Sequence, residues 1–280
     1  MSPLVSVAIP VKNGFLNKSN DDITLDKVLN SILKQNYYNL EIIISNNNSI
    51  DKTKNYLEEI SQTDRRIKYF NIEKDISWAE NFDFLLKKCT GKYFKWNAAD
   101  DLISQDYIEK NVEFLERNQE YVSSSSKFYY ENDMNKFYSF DLDENLYTRI
   151  KDFFHIRHIS HNIFFSLMRR NVTNKIICVS KDYWAIDWIF NLELLLNGKF
   201  KTLENGYIIF GTKGISREES YVKKYLDNKK KIYKYLPFYE LMKDLFKKTI
   251  TSKELSFFEK ISIYFSLFKL NIYFIKKHRL

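Results

Sequence analysis

Glu41-Ile42-Ile43-Ile44-Ser45 is a short apolar run that breaks into Asn46-Asn47-Asn48-Ser49-Ile50-Asp51. Three consecutive isoleucines with no polar alternation read as a buried strand. The Asn, Ser and Asp residues that follow are turn and cap formers. What lies on either side of this strand decides the kind of sheet it joins.

Upstream, Val5-Ser6-Val7-Ala8-Ile9-Pro10 is a second β-branched run, ended by proline. Val11-Lys12-Asn13-Gly14 makes a turn, and a polar loop continues to about Asp22. Leu25, Val28, Leu29, Ile32 and Leu33 then recur at helical spacing, which predicts a helix over 24–35. Downstream, the pattern predicts a helix from Lys52 to Ile60 and a strand over 67–71. Ser77-Trp78-Ala79-Glu80 has the form of a capping box and opens a helix to Lys88, stopped by Gly91. Tyr93-Phe94-Lys95-Trp96 reads as a fourth strand, and Ser104 as the cap of a helix to about Asn118. Strand and helix thus alternate four times within residues 1–120, the signature of an α/β fold with a mainly parallel sheet flanked by helices. In such sheets ligands bind beyond the carboxyl ends of the strands. Three polar clusters fall there: Lys12-Asn13-Gly14, Asn46–Asp51 and Asn97–Asp101.

Residues 121–150 are polar and aromatic and read as strands and loops, without bounds for either. A helical run through Trp188, Leu192, Leu195 and Leu196 ends at Gly198. The expected organisation is a 1–220 domain, with halves 1–120 and 121–220, followed by a 221–280 tail. That tail holds 15 Lys or Arg against 5 Asp or Glu, whereas residues 1–220 hold 29 against 31. The overall charge of +8 therefore belongs to the tail. Aromatics make up 17% of the chain, enough for a sizeable core, and disorder is not expected. The two cysteines, Cys89 and Cys178, are far apart, so neither a zinc site nor a disulfide framework is expected and a reducing compartment fits. The N-terminal segment lacks the basic start of a signal peptide, and no apolar stretch of about 18 residues occurs. Together these predict a cytoplasmic protein, or one held peripherally on the inner face of the cytoplasmic membrane.

Asp100 and Asp101 sit side by side beyond the fourth strand. Adjacent carboxylates repel unless a positive charge lies between them. A divalent cation is the simplest answer, and hard oxygen ligands select Mg²⁺ or Mn²⁺ with phosphate and water completing the shell. The competing reading makes one Asp a helix cap and leaves the other solvated.

Four blocks in order resemble the family 2 glycosyltransferases of the GT-A (Rossmann-like) fold, the bacterial polysaccharide-biosynthesis type. They are Pro10-Val11-Lys12-Asn13, then Ser31-Ile32-Leu33-Lys34-Gln35 with Glu41–Ile44, then Ser49-Ile50-Asp51-Lys52-Thr53, and finally Ala99-Asp100-Asp101. The resemblance is close over residues 4–120 and weaker to about 217. It implies an inverting, metal-dependent transfer of a sugar from a nucleotide-sugar, UDP-linked, to a surface polysaccharide or lipid-linked glycan. By resemblance, Asp100 contacts the ribose and Asp101 holds the metal. The backbone near Pro10 and Val11 borders the nucleobase, Asn13 belongs to the nucleotide-sugar site, and Asn81 lies near the nucleotide or sugar. The family carries an acidic residue in the turn after the second strand, where this chain has Asn46-Asn47-Asn48. Asn47 can still donate to and accept from a base edge, or the Asn run simply builds the turn.

Tyr183-Trp184-Ala185-Ile186-Asp187-Trp188 resembles the family block that supplies the catalytic base. Asp187 stands in apolar company, which raises a carboxylate pKa and suits a base; the alternative is a helix N-cap. Trp184 and Trp188 are candidates for a sugar platform in the acceptor site, or for core. His155, His158 and His161 lie three apart, a spacing that turns the third well off the first on a helix. His161 is therefore read as an acceptor-site candidate or a surface or core residue rather than a metal ligand. Arg217 falls in a segment that resembles a loop closing over the donor phosphates. In the tail, Thr251-Ser252-Lys253-Glu254 has the form of a capping box. Ile261, Tyr264, Phe265, Phe268, Ile272 and Ile275 then recur near helical spacing among lysines. A basic amphipathic helix of this kind either lies on an anionic membrane or packs on the body. Two rivals to the transferase reading remain. A sugar nucleotidyltransferase needs a Gly-rich basic loop after the first strand, which PVKNG lacks. A non-catalytic membrane or nucleic-acid binder has no use for the Asp pair, and no nucleic-acid-binding motif occurs.

Overall fold

The computed structural model describes residues 2–19, 22–176, 185–212 and 232–278. Its first half runs β1 (Val5–Val11), α1 (Leu25–Leu33), β2 (Leu40–Asn47), α2 (Thr53–Ile60), β3 (Ile67–Ile72), α3 (Trp78–Lys88), β4 (Tyr93–Trp96), β5 (Leu102–Ile103) and α4 (Tyr107–Arg117). Then come β6 (Tyr121–Tyr130), β7 (Asp133–Tyr138), α5 (Leu146–Ile156), α6 (His161–Phe164), β8 (Leu167–Arg169), α7 (Arg170–Thr173), α8 (Ile186–Leu196) and β9 (Lys199–Phe210). The described tail holds α9 (Ile232–Tyr235), α10 (Tyr239–Ile250) and α11 (Phe257–His278).

The isoleucine run of β2 is buried along its whole length. It pairs in parallel with β1 on one side and β3 on the other, and β1 pairs in parallel with β4. The order β3-β2-β1-β4 is what alternating strands and helices dictate, because each parallel return needs a crossover helix. α1 buries Leu25, Val28, Leu29 and Ile32 against this sheet. The Ser77 box is formed: its Oγ accepts from the Glu80 N–H at 3.2 Å, and the Glu80 carboxylate accepts from the Ser77 N–H at 2.8 Å.

Beyond β4 the sheet becomes mixed. β8 runs antiparallel to β4, β6 antiparallel to β8, β9 parallel to β6 and β5 antiparallel to β9, with β7 as a hairpin on β6. β6 carries Ser123-Ser124-Ser125-Ser126, all fully buried. Their hydroxyls are partly satisfied inside: Ser125 donates to Asn162 at 2.7 Å and lies 3.1 Å from the Tyr107 hydroxyl. A strand made of serines has no hydrophobic signature, so sequence pattern could not locate it.

Several local expectations are corrected. β2 extends through Asn46 and Asn47, and the turn begins at Asn48, whose φ is +49°. Ser104 does not cap α4, which starts after Asp106. Instead its hydroxyl donates to Asp106 at 2.7 Å and accepts from the Tyr207 N–H at 2.9 Å, joining β5 to β9. α3 already ends at Lys88, with Cys89 extended. Gly91 serves a close approach, since a Cβ there would lie 2.7 Å from the Leu4 carbonyl oxygen. In the tail the capping box is Ser256 with Glu259, not Thr251 with Glu254.

The described tail helices pack on the body. Phe238, Leu241 and Leu245, with Ile263, Leu267 and Leu270 of α11, join one apolar cluster with Ile189 and Phe190 of α8 and Ile150 and Phe153 of α5.

Candidate functional site

The carboxyl ends of β1, β2 and β4 open on the turn 97–101. Asn97 is fully buried and fixes that turn by donating to the carbonyls of Ala98 and Asp101, both at 2.9 Å. The two carboxylates are then treated differently. Asp101 is 5% exposed, and its Oδ1 accepts from the Gly211 N–H at 3.0 Å. Burial pushes its pKa up, the Asp100 charge adds to this, and the Gly211 N–H, Lys95 and Lys18 oppose it. Lys95 is a buried ammonium that donates to the Phe165 carbonyl and lies 5.0 Å from the centre of the Tyr107 ring. Burial drives its pKa down to about 7 against the pull of Asp101. Asp100 is half-buried and lies against Gly211, where a Cβ would come 2.6 Å from its carbonyl oxygen and 2.7 Å from its Oδ2. Asp101 is thus buried on the Gly211 N–H, and Asp100 stands half-buried beside the same glycine.

On the β1–β2 side, Val11 is buried and Pro10 half-buried. Asn13 takes a left-handed conformation, φ +56°. Its N–H donates to Ser49 Oγ at 2.8 Å and its Oδ1 accepts from the Ile50 N–H at 2.9 Å. The side chain therefore joins the two strand-end loops. Asn47 grips Ile76, donating to its carbonyl at 2.7 Å and accepting from its N–H at 3.0 Å. Asn46 donates to Asn71 at 2.9 Å. Asn81 is buried and accepts from Ser45 Oγ at 2.5 Å. These asparagines brace the floor of the cleft. Above them Lys12 and Asp75 make an ion pair at 2.6 Å, reaching from the end of β1 past β2 to the loop after β3.

Asp187 lies in the first turn of α8, one residue after the first helical position. Burial pushes its pKa up to about 6, with backbone N–H groups at Trp188 and Asp187 opposing. Ala185 before it has φ +55°, a strained conformation for an L-residue of the kind that clusters at functional sites. One turn further on, Phe190 packs on Trp96 at 4.8 Å between ring centres. The face of α8 that carries Asp187 is therefore turned toward the end of β4.

Trp188 is not an open platform: its ring stacks on Phe238 at 5.2 Å and 9°. His161 sits in an aromatic cluster, edge-on to Phe210 at 4.4 Å and to Phe128 at 5.4 Å, with Nε2 3.3 Å from the Tyr130 hydroxyl. His155 and His158 are exposed elsewhere. Trp184 and Arg217 lie outside the described residues. Among the described residues no group of three or more His, Cys, Asp or Glu could hold a metal ion. Asp100 alone still fits a cation of the Mg²⁺ or Mn²⁺ type, which takes one or two carboxylates and completes its shell with phosphate and water.

Sequence reasoning missed Gly211, Lys95 and Glu131. Glu131 accepts from the Ile23 N–H at 2.7 Å and from the Thr212 N–H at 3.4 Å, tying the loop before α1 to the end of β9. Gly211 had a signal, a lone glycine after the apolar run Tyr207–Phe210. Glu131 had none, because its partners are remote in sequence.

The comparisons agree with this architecture. A glycosyltransferase of Haemophilus influenzae described as uncharacterized is 36% identical over 124 residues, 44% of this chain and 36% of that relative. The chain spans less than half the length of such curated relatives. The crystal structure of S. aureus TarS 1-349 in complex with UDP-GlcNAc superposes with a TM-score of 0.66 at 16% identity, covering 93% of this chain and 70% of that one. The mannosyltransferase PcManGT from Pyrobaculum calidifontis, in complex with GDP-Man and Mn²⁺, superposes at 0.55 with 13% identity, over 100% and 85% of the two chains. The model of Glycosyl transferase family 2 matches residues 6–177, more than half of the chain. The chain belongs to glycosyl transferase family 2.

Proposed function

We propose that this chain transfers a sugar, with inversion, from a nucleotide-sugar to a hydroxyl of a glycan, with a surface polysaccharide or lipid-linked glycan as the acceptor. The observation that carries this reading is the divided carboxylate pair. Asp101 is buried and accepts from the Gly211 N–H, while Asp100 is half-buried and so the more accessible of the two at the end of β4. The division favours Asp100, rather than Asp101, as the group that holds Mn²⁺ or Mg²⁺. Asp101 then keeps the turn in register. A bound cation would neutralise charge on the leaving diphosphate. Pro10 and Val11 border the base. The UDP-GlcNAc complex of a protein sharing the fold supports uridine, and the GDP-Man complex keeps guanosine in the screen.

Asp187 acts as base. The acceptor hydroxyl attacks the anomeric carbon, the bond from that carbon to the diphosphate oxygen breaks, and the hydroxyl proton passes to the Asp187 carboxylate. A base with pKa near 6 is ionised at neutral pH and still basic enough to take that proton. His161, packed against Phe210 at the end of β9, is assigned to the acceptor side. Residues 1–120 form the donor half, 121–220 the acceptor half and 221–280 a tail. The protein works in the cytoplasm.

The test is a thermal-shift screen of nucleotide-sugars with and without Mn²⁺, followed by slow donor hydrolysis. One UDP-sugar is expected to raise Tm only with the metal and to release UDP. Asp100→Asn should remove both effects with Tm of the free protein unchanged. Undiminished, metal-dependent binding by Asp100→Asn would refute the metal assignment; a screen in which no nucleotide-sugar binds would refute the function.

A further inference from the structure

The terminal helix α11 has two apolar sides and only one of them is covered. Ile263, Leu267 and Leu270 are buried against the body, and Asn271 on the same side accepts from the Phe238 N–H at 3.0 Å. The opposite side carries Phe257, Ile261, Phe265, Phe268 and Ile272, all exposed, with Phe258 at its edge. Phe258 is 80% exposed, Phe257 71% and Phe265 56%. Spacings of four, four, three and four keep these residues on one stripe, about 22 Å long at the helical rise. Tyr264, which sequence placed on this stripe, turns inward to Thr249. Phe246 of α10 touches the Tyr264 ring at 5.4 Å and, with Ile250, widens the exposed surface.

Charge identifies what covers it. From Lys260 to the end of the chain there are five Lys or Arg and no Asp or Glu. Lys269 lies 4.5 Å over the Phe265 ring, directly beside the stripe. An exposed aromatic stripe flanked only by cations beyond Glu259, the one acid in its first turn, complements an anionic lipid surface. A second copy of the same helix would bring like charges together. Among the described residues no helix is long and apolar enough to cross a membrane. We propose that α11 lies flat on an anionic bilayer, with Phe257, Phe258, Ile261, Phe265 and Phe268 at the headgroup boundary and Lys269 and Lys276 on lipid phosphates. This inference stands on residues distinct from the donor cleft.

The experiment is co-sedimentation of the 280-residue chain with phosphatidylcholine vesicles, with and without phosphatidylglycerol. Binding is expected only to the anionic vesicles and should be released by high salt. The pair Phe258→Asp with Phe265→Asp should abolish it, with circular dichroism, Tm and donor hydrolysis unchanged, because both rings are exposed. Lys269→Gln and Lys276→Gln should each weaken partitioning roughly fivefold. The proposal is overturned if the Asp pair binds like the parent or if the parent ignores anionic vesicles at low salt. It is equally overturned if the stripe instead drives concentration-dependent self-association that the Asp pair removes. Hydrolysis measured on the same samples separates this failure from failure of the transferase reading.

Discussion

The amino and carboxyl edges of the same parallel strands treat a buried acid in opposite ways. At the amino edge, Glu41 of β2 accepts from Ser6 Oγ at 2.6 Å, Lys68 at 2.7 Å, and the Thr90 N–H and hydroxyl at 2.6 and 2.8 Å. Burial alone would push this carboxyl up, yet Lys68, Ser6 and Thr90 outweigh it and hold the pKa at about 2. At the carboxyl edge, Asp101 and Asp187 are pushed up by burial with fewer donors to oppose it. A saturated acid fastens strands together. An under-supplied one such as Asp187 keeps capacity for a proton, while Asp101 holds the turn through Gly211.

The largest expected effect breaks the carboxyl edge. Asp187→Asn should lower transfer by roughly 10²–10⁴-fold, the usual contribution of a general base, with donor affinity unchanged. In the parent, activity should fall as pH drops through about 6, where Asp187 takes up its proton. That carboxyl is raised in the folded state, so the stability it contributes is full below its unfolded pKa and is lost as pH rises through 6. Acid therefore stops turnover without loosening the fold at this residue. Glu41 has the opposite sign: its contribution is full above the ordinary Glu value of 4.5 and is lost as pH falls toward 2. Activity and Tm measured across pH should therefore fail in separate windows. An Asp187→Asn variant that keeps full transfer would place the base elsewhere.

Breaking the amino edge comes next. Glu41→Ala removes the acceptor shared by Ser6, Lys68 and Thr90 and should cost about 1–3 kcal/mol, the cost of leaving the buried Ser6 and Thr90 donors unpaired, since Lys68 is 51% exposed and reaches water. Donor affinity, measured calorimetrically well below the new Tm, should be close to the parent's. If instead donor binding collapsed while Tm held, the amino edge would not be structural.

How much of this contrast was legible in the sequence follows from the same physics. The parallel half was readable because β-branched runs and helical spacings are local signals. The bounds of the Ser123–Ser126 strand were not, since serines carry no apolar pattern and the partners of Ser125, Tyr107 and Asn162, come from other elements. The Asp pair was visible as a pair. Which member faces the cleft was not, because that depends on Asn97 fixing the turn and on Gly211 arriving from β9. Trp188 was open between a sugar platform and core, and its stacking on Phe238 decides for core.

The smallest stability effect sharpens the comparison at the carboxyl edge. Lys12 and Asp75 pair at 2.6 Å but remain 39% and 57% exposed, so the pair is well screened. Such a pair contributes about 0.2–1 kcal/mol, and Lys12→Met should shift Tm by no more than a few degrees. Its position is what matters. It reaches past β2 above Asn46 and Asn47, whose side chains are occupied by Asn71 and Ile76. A base entering between β1 and β3 would meet the Lys12 ammonium and the Asp75 carboxylate rather than that floor. Lys12→Met and Asp75→Asn should therefore alter the affinity for nucleoside diphosphates more than they alter Tm. Isothermal titration with UDP and GDP decides it: equal affinities in parent and variants would make the pair an ordinary surface bridge, and would limit the carboxyl-edge rule to acids that are buried.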